Sequence, residues 1–307
     1  MEPGKQALPY PYDQDFTNIV TRLKTQRPAA RARRVNSVVV ASYIRAGAAL
    51  IERHLGPPEP AQAAANAAGR QNWSIRFLTE RAVIKEAEQN EPPFLRIRGE
   101  GTFRSTWATH DDYLRDLLAF MFDEINYDPQ HSPEAQKRDF PPPPKSSFVD
   151  LIDHRTYYEL QAICRMALFR LQLLMVATAH RNDGIHDVIA NNYRGAIEPW
   201  KKVYESTFAA HGLRLRAGIT VDQFANIMSA VTEGIAVRML GDPNANVNGD
   251  RAEGNLLGMA VLGLVHAYLE PANNPSGRTL RQDFEEIEEA ARPPEGKPYE
   301  RHADDEK

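Results

Sequence analysis

The stretch RGEGTFRSTWATHDDYL, Arg98 to Leu114, sets the reading of the whole chain. Gly99 and Gly101 loosen the backbone, and Phe103 and Trp107 then stand four residues apart, on one side of a short helix. That spacing turns the two aromatic rings inward and leaves Thr102, Arg104, Ser105 and Thr106 outward. Short hydroxyl side chains and an arginine at a helix start suit phosphate and base-edge contacts in a DNA major groove. Thr109 and Asp112 have the spacing of a capping pair and open a longer helix with Leu114, Leu117, Leu118, Met121 and Ile125 inward.

Helical periodicity continues on both sides of this block, and strand signals are nearly absent. From Ser37, apolar residues at Val40, Ile44, Ala48, Ile51 and Leu55 predict a helix that stops at Gly56-Pro57-Pro58. A second helix is expected from Ser74 to about Glu88, ended by Glu91-Pro92-Pro93. Residues 127–147 include Pro141 to Pro144 and few apolar side chains, the composition of a linker. Beyond it, Leu160, Ile163, Cys164, Ala167, Leu168, Leu171, Leu174 and Met175 fit one continuous helix face. Ile185 to Ala210 reads as helical, with Pro199 kinking it or opening a new helix. Thr220 and Gln223 cap a helix with Phe224, Ile227, Met228, Val231, Ile235 and Met239 on one stripe. The last strong helix, about Glu253 to Glu270, is apolar nearly all round and contains Gly254, Gly258 and Gly263. Such a helix must be buried on several sides, and packing against a second copy of the chain achieves that.

The expected fold class is therefore all-α: an N-terminal three-helix unit at 37–126, a Pro-rich linker at 127–147 and a larger helical bundle at 148–271. A flexible basic arm at 1–36 and an acidic tail at 272–307 flank them. The net charge of −4 conceals this polarity. Six cations and no acid lie between Arg22 and Arg34, whereas from Asp283 onward the tail is mainly acidic, beginning DFEEIEE and ending HADDEK. A basic arm, including Arg31, Arg33 and Arg34, fits approach to a polyanion at one end. The single Cys164 excludes an internal disulfide framework and a cysteine-rich metal site. The N-terminus lacks the apolar core of a secretory signal, and the run Gly254 to Leu269 is short for a bilayer, so a cytoplasmic protein without a membrane partner is expected.

The block Gly101 to Leu114 resembles the DNA-reading segment of TetR-family transcriptional regulators. Phe103 and Trp107 take the two apolar positions, Thr109 the capping position, and Asp111 and Asp112 the acids. His110 stands where that family carries a phosphate-contacting lysine. A second region, Gly218 to Asp222 with Gly234 to Arg238 and LLGMAVLGLVHAYLEP, resembles the family's last two ligand-domain helices. The resemblance implies a helix-turn-helix domain binding double-stranded operator DNA through Thr102, Arg104, Ser105, Thr106, His110 and the arm arginines. It also implies homodimerisation through about 220–240 and 253–270, and release by a small, largely hydrophobic effector. The chain departs from the family pattern before Gly101, where EAEQNEPPFLRIRGE replaces a compact helix and short turn. That departure motivates an alternative: a helical dimer of the same kind that has lost specific DNA reading and binds ligands or proteins.

Candidate ligand contacts are the aromatic and polarizable residues of the second unit: Tyr157, Cys164, Phe169, Tyr193, Trp200 and Tyr204. His180, Asp183, His186 and Asp187 lie close in sequence but are poorly spaced for a metal on one helix face. The chain carries no GxSxG, HExxH or phosphate-loop motif, so neither enzyme activity nor a metal or cofactor is expected.

Overall fold

A computed structural model describes residues 8–25, 27–57, 75–126, 147–177, 183–242, 244–245, 247, 249 and 255–292. Among these the protein is all-α in character, with eleven α-helices, three short 3₁₀ turns and a single pair of three-residue strands. No single described helix is long and apolar enough to cross a membrane. Residues 59–72, nearly all of the Pro-rich linker, His180 and the tail beyond residue 292 lie outside the described residues.

Five helices surround a first core. Pro28 preorganises the first turn of α1 (Pro28–Val35), and Ser37 caps α2 (Val38–Leu55) by accepting a bond from the Val40 N–H. Thr79 caps α3 (Glu80–Ala87). After α4 (Glu100–Thr106), a full capping box between Thr109 and Asp112 opens α5 (His110–Met121). At the centre Tyr43, Phe103, Trp107 and Tyr113 meet edge to face, with ring centroids 5.0–6.0 Å apart. Such pairs each add about 0.5–1.5 kcal/mol beyond simple burial.

The N-terminal segment differs from the flexible arm expected of it. Tyr12, Phe16, Val20 and Leu23 are buried in this first core. Leu23 forms a bridge with Trp107, and the Lys24 N–H donates to the Thr106 carbonyl at 2.8 Å. The cause lies in apolar residues at intervals of three and four, which outweigh the solvation of the neighbouring cations.

Around a second core lie α6 (Phe148–Arg165), α7 (Ala167–Val176), α8 (Asp183–Ala210), α9 (Val221–Gly241) and α10 (Leu256–Tyr268). The single helix expected across 160–175 is two, broken at Met166, whose φ −71° and ψ 121° are extended. The break has a packing reason. Leu160 and Cys164 face the second core, whereas Ala167, Leu171 and Met175 face the first. One straight helix cannot turn its apolar stripe toward both. By contrast, α8 runs through Pro199 without ending. A short antiparallel pair, β1 (Leu213–Leu215) with β2 (Leu269–Pro271), ties the end of α8 to the end of α10 in the register Leu213 to Pro271. Helix α11 (Leu280–Ala291) follows and is anchored where Asp283 pairs with Arg216 and Arg278.

Candidate functional site

Two places concentrate the residues singled out by sequence. The first is the outer face of α4. Gly99, at φ 95°, opens this helix in a conformation that favours glycine, and Gly101, Arg104 and Ser105 are exposed on it. Arg104 donates from Nε to Glu80 at 2.9 Å and lies 3.3 Å from Glu100. Thr102 is half-buried.

Two of the expected contacts point inward instead. Thr106 is 1% exposed; its hydroxyl donates to the Thr102 carbonyl at 2.8 Å and accepts from Arg34 at 2.8 Å. Its position follows from the helical period, since it lies three residues after Phe103 on the same inward side. His110 is half-buried between Phe103 and Tyr113, with Nε2 2.7 Å from the Leu78 carbonyl. Because that carbonyl only accepts, Nε2 carries the proton. His110 thus holds the 3₁₀ turn Ile75–Leu78 to α5.

The basic segment lies directly beside α4. Arg34 bonds Ser105 at 3.2 Å as well as Thr106, and Arg31 donates to the Val20 carbonyl at 3.4 Å. Arg27 and Arg33 are exposed. The twelve-residue connection between α3 and α4, 88–99, is ordered by its own bonds. The Ile97 N–H donates to the Ala87 carbonyl at 3.1 Å, closing 88–96 into a loop and leaving only 97–99 to turn the chain. Asn90 clamps that loop to α2 by donating to the Ser42 and Leu95 carbonyls.

The second place is a cavity of about 360 Å³ lined by α6 to α10. Phe169, Trp200 and Tyr204 line it, joined by Phe208 and Phe224. The rings form a continuous wall: Trp200 stacks on Tyr204 at 6.1 Å, and Phe224 meets Tyr204 and Phe208 edge-on at 5.3 Å. The other three expected contacts lie elsewhere. Cys164 is buried with its Sγ 3.7 Å from the Ala236 carbonyl, and Tyr157 packs against the edge of Tyr158. Tyr193 stands behind the wall, its hydroxyl 3.4 Å from Glu233. None of the three lines the cavity.

Polar groups converge at two points on this apolar wall. Glu233 accepts from the Ser229 hydroxyl at 3.1 Å and from Tyr193, and Gln172 bonds it as well. Burial nevertheless raises its carboxyl above the ordinary range, because those hydrogen bonds only partly offset desolvation. Elsewhere on the wall, Arg155 and Glu159 lie one helical turn apart on α6. Burial lowers the Arg155 guanidinium below its ordinary range, and the charge of Glu159 partly offsets that shift. Sequence reasoning missed Glu233, Gln172 and Asn192 because polar residues on a helix ordinarily face water. A second inward row on α9, Ala225, Ser229, Thr232 and Ala236, was the available signal.

Searches against protein-family models, curated proteins and solved structures found no match to this chain. The functional reading therefore rests on the residues themselves. Among the described residues, no group of three or more His, Cys, Asp or Glu side chains is placed to hold a metal ion.

A third feature links the arm to the first core. The buried Asp116 carboxylate accepts from the Thr21 and Arg22 N–H groups and from Trp107 Nε1 at 2.8 Å. Desolvation pushes its carboxyl up to about 6 against those three bonds.

Proposed function

We propose that this chain is a TetR-like, ligand-responsive regulator of transcription. A helix-turn-helix formed by α3 and α4 binds double-stranded DNA, and the bundle of α6 to α10 takes up a small, mostly apolar effector. The observation that carries this reading is the docking of the basic segment against α4. The segment brings Arg34 to Ser105 and Thr106 of α4 and leaves its Arg27 and Arg33 in water, so phosphate-binding charge and a candidate reading surface belong to one docked unit. The surface ion pair of Arg104 with Glu80 is worth at most about 1 kcal/mol, so DNA phosphate displaces it readily. Closure of residues 88–96 supports the same reading, because it leaves a turn of helix-turn-helix length between the helices.

In this reading the protein acts as a homodimer through α9 and α10. Leu256, Met259 and Gly263 follow one exposed face of α10, and Gly234 and Val237 one exposed face of α9. Ligand acts by favouring a dimer whose two α4 helices no longer match successive major grooves, so affinity falls by the differential binding energy.

A salt titration of binding to the DNA upstream of its own gene tests the proposal. Arg104→Ala weakens specific binding by about 1–3 kcal/mol, and Thr102→Ala weakens it in the same sense. Arg27→Gln and Arg33→Gln each reduce the salt slope by about 1 with little effect on sequence preference. Binding unchanged in all four variants sinks the DNA-reading assignment. Glu80 and Glu100 beside Arg104 favour one competing reading, a ligand-binding dimer without DNA activity. Ligand uptake with no DNA affinity at low salt is its signature.

A further inference from the structure

We infer that a small pocket where the N-terminal segment, α5 and α8 meet binds a free α-amino acid with a compact aliphatic side chain. This goes beyond the proposed function, since neither DNA reading nor the cavity of the second core takes part in it.

The pocket has a volume of about 190 Å³. Sites for drug-sized ligands run to roughly 300–1,000 Å³, so this space fits a small metabolite instead. Its chemistry is divided by depth. Phe122, Met175 and Ile189 are buried and, with the half-buried Leu118 and Val188, make an apolar floor. The charged side chains stand at the mouth, where Arg22 and Asp187 are exposed and Arg115 is half-buried. Asp116 is the one buried charge that lines the space. Both its oxygens are already engaged, by the Thr21 and Arg22 N–H groups and by Trp107 Nε1. Arg115 is likewise engaged, with its Nε 2.8 Å from Asp111.

What remains at the mouth is one cation and one anion. Among the described residues, the Arg22 guanidinium and the Asp187 carboxylate form no hydrogen bond or ion pair. An α-amino acid matches this division, because both its charges sit on one carbon and its side chain extends away from them. Arg22 takes the carboxylate through its planar fork of donors, and Asp187 accepts from the ammonium. The aliphatic side chain then covers the floor and is removed from water. A fatty acid brings its charge toward Asp187 with no ammonium to offset it, and a simple amine does the same toward Arg22. The bound molecule also bridges the N-terminal segment to the first turns of α8, so the two are held together more firmly when it is present.

The test is titration calorimetry on the full chain with L-leucine and three analogues that each lack one part of it. Isocaproate lacks the ammonium, isoamylamine lacks the carboxylate, and glycine lacks the side chain. Leucine is expected to bind about tenfold more tightly than any of the three. Both rim residues are exposed, so their substitution leaves the fold intact. Arg22→Gln is expected to weaken leucine about tenfold and to erase its advantage over isoamylamine. Asp187→Asn is expected to weaken leucine by a similar factor and to erase its advantage over isocaproate. Glycine binding as tightly as leucine overturns the role of the apolar floor. Leucine affinity unchanged in either variant places the amino acid elsewhere on the protein and overturns the site. No heat at millimolar leucine overturns the proposal outright, whatever DNA binding shows.

Discussion

The two cores of this protein are built from the same residue types to opposite ends. In the first, Tyr43, Phe103, Trp107 and Tyr113 are sealed at 0–1% exposure and lock to one another. In the second, Trp200 and Tyr204 stay half-buried around open space. Of the twelve largest fully buried side chains among the described residues, only Phe224 and Leu160 belong to the second core. A filled core fixes the positions of α4 and the basic segment, whereas a hollow one leaves room for a ligand. The contrast teaches that aromatic content alone does not announce a binding site; what matters is whether neighbouring elements complete the packing around each ring.

The largest test of that contrast is truncation. Trp107→Ala removes a fully enclosed indole and leaves Asp116 without its Nε1–H donor, so chemical denaturation should show a loss of about 3–5 kcal/mol. Phe208→Ala in the second core should cost about 1–3 kcal/mol, because one side of that ring already lacks partner atoms. Equal losses at the two sites mean that the second core is as tightly filled as the first.

Much of the helical framework was legible from local chemistry. The Thr109–Asp112 and Thr220–Gln223 boxes both form, and Gly56 ends α2 where expected. These signals depend only on neighbours in sequence. What escaped was set by distant partners. No glycine or proline marks the break at Met166, which exists because the two cores draw the chain in different directions. Tyr12, Phe16, Val20 and Leu23 were hidden by the cations and prolines around them, though their spacing was readable. In the cavity, aromatic residues pointed to Phe169, Trp200 and Tyr204, but the sequence does not mark which polar residues a helix turns inward. Thr106 and His110 show the same limit from the other side. Both have residue types suited to DNA, and tertiary packing employs them as internal fasteners.

Asp116 offers an intermediate effect and a pH test of how the arm is held. Its folded-state carboxyl, pushed up to about 6, lies above the unfolded value near 3.8. The folded protein therefore holds this proton more tightly. The stabilisation is complete below about pH 4 and is lost as pH rises through about 6. The span corresponds to roughly 3 kcal/mol at most. Measured against Asp116→Asn, which does not titrate there, native stability should fall between pH 4 and 7. A difference that is flat with pH, or that grows, contradicts the assignment of the shift to desolvation of this residue.

The smallest expected effect concerns two glycines of α10 that look equivalent in sequence. A Cβ on Gly258 would meet Asp153 at 2.7 Å and Thr156 at 3.1 Å, so that glycine is occupied by the close approach of α6 within the protomer. A Cβ on Gly263 would meet nothing within 4 Å. In an isolated protomer, Gly263→Ala should therefore gain about 0.5–1 kcal/mol of helix propensity. If α10 packs against a second copy, the same methyl group enters a closed contact and should weaken dimerisation by about 1–3 kcal/mol. Sedimentation equilibrium separates the outcomes. The proposed homodimer requires Gly263→Ala to raise the dissociation constant and to make the melting temperature more dependent on protein concentration. A variant that melts higher at every concentration places Gly263 on a free face and removes α10 from the interface.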